Sequence, residues 1–121
     1  MRFPFCLLTF TRMSITINIL YKGKDNNALK FAREMEQSGT AQAVRNEPGN
    51  LRYEYYVSLQ DENTVLLIDS WTSQEALDIH HSSPMMKTIA ALRDKYDLHM
   101  QVARFKDDED IVMSDSRYIR K

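Results

Sequence analysis

The segment Thr64-Val65-Leu66-Leu67-Ile68-Asp69-Ser70-Trp71 constrains this chain most, because it is apolar on both faces from Val65 to Ile68. Its length and its branched side chains are those of a β-strand. A strand that is apolar on two faces must be covered on two sides. The chain's own helices can cover one side, and the other calls for a partner. At 121 residues the chain has the size of one domain. A single helical layer on so small a sheet leaves much apolar surface uncovered, so self-association is expected.

The other elements follow from periodicity. Ile15, Ile17, Ile19 and Tyr21 alternate across residues 14–22, which predicts a first strand. Asp25 then stands as helix cap. Ala28, Phe31, Ala32, Met35, Ala43 and Val44 recur at helical spacing between Asn26 and Val44, with Gly39 a weak point in the middle. Glu47-Pro48-Gly49-Asn50 is turn chemistry. A second strand alternates through Leu51, Tyr53, Tyr55, Val57 and Leu59. After the third strand, Thr72-Ser73-Gln74-Glu75 reads as a capping box with Thr72 as N-cap, opening a short helix to His81. Ser83-Pro84 restarts a helix, with Met85, Met86, Ile89, Ala90 and Leu92 as its apolar face. Asp97 to Phe105 supplies a fourth strand. The order β-α-β-β-α-β is that of an α+β, ferredoxin-like unit, an antiparallel sheet with both helices on one face.

Composition narrows the function classes. With 43% hydrophobic and 27% charged residues and a net charge of −1, the chain reads as a folded globular protein without the basic footprint of nucleic-acid binding. The run Asp107-Asp108-Glu109-Asp110 is read as solvated surface. The lone Cys6 makes no internal disulfide and no Cys/His metal spacing occurs, which fits a reducing, cytoplasmic setting. Phe3-Pro4-Phe5-Cys6-Leu7-Leu8-Thr9-Phe10 is too short to span a membrane and lacks the pattern of a secretory signal. Residues 1–12 are therefore read as a leader, either untethered or upstream of a start at Met13. Residues 13–106 form the domain, and 107–121 a polar tail.

Two stretches resemble the antibiotic-biosynthesis-monooxygenase family. Glu47-Pro48-Gly49-Asn50-Leu51-Arg52-Tyr53-Glu54 is similar to its helix-to-strand passage. Asp69-Ser70-Trp71-Thr72-Ser73-Gln74-Glu75-Ala76-Leu77-Asp78-Ile79-His80, followed by Ser83-Pro84, resembles its acid-x-Trp-x-Ser-x-Glu-Ala-Leu-x-x-His segment. The likeness covers residues 14–106. It implies a homodimer in which two sheets combine into an α+β barrel. Members include quinol monooxygenases that use molecular oxygen without flavin, haem or metal, haem-degrading enzymes, and an isomerase-like enzyme of autoinducer-2 breakdown. The family therefore implies the fold better than the reaction. The haem-degrading members need Asn, Trp and His together. Here His80 stands where their Trp falls and Ala90 where their His falls, which argues against haem degradation. Asn18 is the match to their first-strand Asn, within a slip of one or two positions. Of the polar set in the anthrone-oxidising members, Trp71 carries over. Met85 stands where quinol-oxidising relatives have a His.

Each candidate residue has two readings. His80 is a general base or orienting donor, or else a half-exposed helix histidine. His81 lies about 100° further round the helix and faces solvent, so the two do not form a metal site. Trp71 walls a pocket for a flat ligand or fills the core. Asn18 is a structural tie or a substrate contact. Asp69 is costly to bury unless paired, with Arg52, Arg104 or a backbone donor as the expected partner. Met85 and Met86 are core filler or soft contacts for a planar aromatic. Tyr53, Tyr55 and Tyr56 place phenols on both faces of the second strand, Tyr56 being assigned to the substrate and at least one to the dimer interface.

The resemblance implies, for these residues, a cofactor-independent monooxygenase acting on a small dihydroxy-aromatic, quinol or quinone-like molecule with molecular oxygen. In that reading His80 takes a proton, Trp71 shapes the cavity and Asn18 orients the oxygen. The lack of a Gly-rich dinucleotide loop accords with cofactor independence. The alternatives are an isomerase-like enzyme on a small hydroxyketone phosphate, with Arg52, Arg93 and Arg104 as phosphate contacts, or a non-catalytic dimer that binds a small molecule.

Overall fold

The computed structural model describes residues 14–108 and 113–120. Strands β1 (Ile15–Lys22), β2 (Asn50–Val57), β3 (Thr64–Trp71) and β4 (His99–Lys106) form one antiparallel sheet in the order β2-β3-β1-β4. Helices α1 (Asn27–Gln37), α2 (Thr40–Arg45), α3 (Gln74–His81) and α4 (Met85–Lys95) cover one face, and a short α5 (Met113–Ser116) follows in the tail. The expected α+β, ferredoxin-like architecture is the observed one. The leader over 1–12 and the pair Glu109-Asp110 lie outside the described residues.

Register explains which side chains meet. Ile15, Ile17, Ile19 and Tyr21 oppose Trp71, Asp69, Leu67 and Val65 of β3, and this set faces the helices. Phe31, Met35, Val44, Leu77 and Ile89 pack onto it from the helical layer. Each such apolar side chain, fully buried, contributes roughly 1.5–3 kcal/mol. The opposite face carries Leu20, Leu66 and Ile68, half-buried, with Phe105 exposed beside them. No helix covers that face among the described residues. The two-sided apolar pattern of β3 is thus satisfied by the chain on one side only.

Several local expectations are corrected. The helix predicted over 26–44 breaks at Gly39, whose φ of 83° is left-handed and lets the chain restart as α2. Asp25 does not cap α1. Asn26 occupies that position in the left-handed region, with its N–H on Asn63 Oδ1 at 3.1 Å. The cap of α3 is Ser73, whose Oγ accepts from Ala76 N–H at 3.1 Å, and not Thr72, whose N–H is committed to Gly49 O at 2.8 Å. Ser83 does not cap α4, and its Oγ is buried without a partner. Strand β2 ends at Val57, and a bulge between Asn50 and Arg52 turns Leu51 outward, so Leu51 and Leu59 are exposed. Strand β4, at the sheet edge beyond the helices, is exposed along its whole length.

Candidate functional site

A cavity of about 260 Å³ lies between α3, α4 and the β4 side of the sheet. Its floor contains the row Arg104, Ile17, Asp69 and Tyr53, which are cross-strand neighbours across all four strands. Leu77, His80, His81 and Met86 come from the helices above. The cavity is therefore lined by apolar side chains with a few polar groups among them, the form expected of a small-molecule site.

His80 is only 3% exposed, which removes the half-exposed reading. Its Nδ1–H donates to Glu47 Oε1 at 2.7 Å. Its ring stacks on Trp71, with centroids 4.8 Å apart and planes 27° from parallel. With Nδ1 bound to a carboxylate, the neutral ring carries its lone pair on Nε2. Trp71 is fully buried and does not line the cavity. It is the back wall against which His80 rests, so its core reading holds and its influence on a ligand passes through His80. The turn carrying Glu47 is shaped by Gly49, whose φ is 86°. A Cβ there would lie 2.6 Å from Ala76 Cβ and 2.8 Å from Thr72 Oγ1. Only glycine lets the turn come this close to α3.

Asp69 sits on the floor, 5% exposed, and accepts from Trp71 Nε1–H at 2.6 Å. The expected partners were arginines or a backbone donor. Arg52 is on the opposite face of the sheet, and Arg104 bonds Gln74 instead. An indole two residues along the same strand serves because side chains i and i+2 share a face. Desolvation pushes the Asp69 carboxyl up to about 6, opposed by the Trp71 hydrogen bond and by the charges of His80 and Arg93. Burial likewise raises Tyr53 beyond its ordinary value, aided by the Tyr21 phenol, which keeps it protonated. Arg93 donates from Nε and Nη2 to the Tyr21 hydroxyl at 3.1 and 2.9 Å. His81 is exposed on α3 as expected, yet it borders the cavity with its ring 5.6 Å from that of His80. Desolvation, then the His80 charge, lowers its pKa.

The structure therefore brings His80 and Met86 to one cavity with Trp71 behind them. Met85 packs against the core instead. Asn18 and Tyr56 are on the other face of the sheet. Asn18 opposes Ile68 and Ala103, and its Oδ1 is buried without a partner. Tyr56 donates to Glu54 at 2.6 Å and accepts from Arg52. Glu47 was read only as turn chemistry. Among the described residues, no group of three or more His, Cys, Asp or Glu is placed to hold a metal ion, and no helix is long and apolar enough to cross a membrane.

Fold and site define a class: a ferredoxin-like α+β chain with a small cavity, between sheet and helices, furnished with an acid and a carboxylate-held histidine. The family profile described as antibiotic biosynthesis monooxygenase matches residues 14–92, and the chain belongs to that family. Among solved structures it is similar to a putative antibiotic biosynthesis monooxygenase from Deinococcus radiodurans, at 20% identity, covering 84% of this chain and 98% of that one with a TM-score of 0.69. It is similar to SnoaB, a cofactor-independent oxygenase from Streptomyces nogalater, at 16% identity over 82% and 97% of the two chains, TM-score 0.69. A protein of unknown function from Bacteroides thetaiotaomicron, described as a possible oxidoreductase, matches at 15% identity over 78% and 98%, TM-score 0.68. At these identities the likeness concerns the fold. No curated protein sequence matches this one.

Proposed function

We propose that this chain is a cofactor-independent monooxygenase acting, as a homodimer in the cytoplasm, on a small dihydroxy-aromatic with molecular oxygen. The observation that carries the reading is His80, buried at the cavity, held through Nδ1 by Glu47 and backed by Trp71. A base fixed in one tautomer with Nε2 free is equipped to take a phenolic proton. The resulting electron-rich anion can pass an electron to oxygen, and the radical pair recombines at a ring carbon. For a simple hydroquinone the balance is quinol plus O₂ giving hydroxyquinone plus water. The substrate supplies all the electrons. The apolar lining from Ile17, Ile19 and Leu67 excludes water from the anion.

Homodimerisation is supported by the uncovered sheet face. Leu20, Leu66 and Ile68 lie half-buried there beside Asn18, whose Oδ1 is buried without a donor. Asn18 and Tyr56 then serve that face. The isomerase alternative loses one of its three cations, because Arg52 is tied to Glu54 and Tyr56 on the sheet's other side. Oxygen uptake with a panel of hydroquinones, wild type against His80→Ala, tests the proposal. Uptake above the uncatalysed rate that falls in the variant supports it. Uptake at the uncatalysed rate for every quinol removes it and leaves the isomerase and binding readings.

A further inference from the structure

Arg93 and Arg104 are the two permanent cations lining the cavity, one from α4 and one from β4. Arg93 is half-buried and spends Nε and Nη2 on the Tyr21 hydroxyl, a neutral acceptor. Arg104 gives Nη2 to the Gln74 amide oxygen, also neutral. Among the described residues, neither guanidinium makes an ion pair with a carboxylate, whereas Arg45 and Arg52 each do. The titratable groups facing the two arginines are Asp69, already engaged by Trp71, the phenols of Tyr21 and Tyr53, and the imidazoles of His80 and His81. Guanidinium forks match carboxylates in geometry as well as charge. A ligand with hydroxyls alone would offer those donors only neutral acceptors and leave both guanidinium charges without a counter-ion once it displaced water.

We infer that the cavity takes an acidic aromatic, a hydroxylated ring bearing a carboxylate, and that Arg104 holds its acid group while Arg93 adds positive charge from the Asp69 side. The ring lies over the apolar floor of Ile17, Ile19 and Leu67. Arg104 and Asp69 stand two strands apart in the same cross-strand row, about 10 Å along the sheet. An acid held at Arg104 therefore leaves ring hydroxyls directed to Asp69 and His80, which are near enough to act on one another's charge. This assignment rests on the oxygenase reading for the choice of a hydroxylated ring, and its acid preference is measurable without turnover.

The probes are 2,5-dihydroxybenzoate and 1,4-dihydroxybenzene, which differ by one carboxylate, titrated calorimetrically without oxygen into the full chain. The benzoate is expected to bind at least about tenfold more tightly and to weaken with added salt. Arg93→Gln and Arg104→Gln are each expected to cut that preference about fivefold or more. Arg104 is exposed on β4, so its variant carries the test if loss of the Tyr21 contact unfolds the Arg93 variant. Equal affinity for both probes, or a preference unchanged in the folded variants, overturns the inference. An acid preference without oxygen uptake keeps this inference and removes the oxygenase. Uptake with both probes bound equally does the reverse.

Discussion

Replacing Asp69 by asparagine is expected to change stability more favourably at neutral pH than in acid. The carboxyl is buried, and desolvation raises its pKa from 3.8 to about 6. Between those values the unfolded chain has lost the proton and the folded chain keeps it. The folded state then binds more protons, so stability falls as pH rises through this window and stays lower above it. The gap corresponds to about 3 kcal/mol above pH 6. In the Asp69→Asn variant the amide oxygen would still accept from Trp71 Nε1–H, but the amide N–H₂ would need partners of its own, a cost of about 1–3 kcal/mol at every pH that leaves a gain of about 0–2 kcal/mol above pH 6. Urea unfolding of both proteins below about pH 4 and above about pH 7 reads the difference directly. A change in stability more favourable by about 3 kcal/mol at high pH than at low pH is the predicted result. A variant equally changed at both pH values, or one destabilised only at neutral pH, would refute the claim that a desolvated carboxylate is held in the floor. The stability that Asp69 forgoes would then have no account in terms of a prepared site.

Further outcomes follow from the same geometry. Glu47→Gln keeps a hydrogen-bond acceptor for His80 Nδ1 but removes the carboxylate that steadies the charge developing on the ring as it takes a proton. Oxygen uptake should show kcat lowered about tenfold or more with KM little changed. Gly49→Ala combines a left-handed φ with contacts below 3 Å, so thermal melting should report a loss of about 2–3 kcal/mol. Ser73→Ala removes the α3 cap and should cost about 1 kcal/mol in chemical denaturation. Ile68→Lys on the uncovered face should convert a dimer to a monomer in sedimentation velocity while leaving the fold signal by circular dichroism; a monomeric wild type would remove the dimer from the proposal.

Much of the architecture was legible because periodicity reports directly on faces. The Ile15, Ile17, Ile19, Tyr21 alternation and the two-sided pattern of β3 both appear as read, down to the uncovered side. The one-residue error at Thr72 arose because its N–H is spent on Gly49, a contact between distant segments that local capping rules do not see. The site was less legible for the same reason. Glu47 and His80 are 33 residues apart in sequence, and nothing in a turn motif announces that its acid reaches a helix. For Asn18 and Tyr56 a signal was present. Both occupy the alternate positions to Ile17, Ile19, Tyr53 and Tyr55, so the period-two pattern already assigned them to the face away from the helices. Arg93 was legible as a cation but not as a cavity residue, because that depends on how α4 crosses the sheet.

The central claim is that His80 removes a phenolic proton from a ligand in this cavity. Mixing wild type and His80→Gln with a hydroquinone in the absence of oxygen, while following the ultraviolet absorbance, tests that step apart from the oxygen chemistry. Wild type at neutral pH should develop the absorbance of the bound phenolate, and the variant should bind the ligand in its neutral form. Phenolate of equal intensity in the variant, or bound ligand that stays neutral in wild type, would contradict the claim.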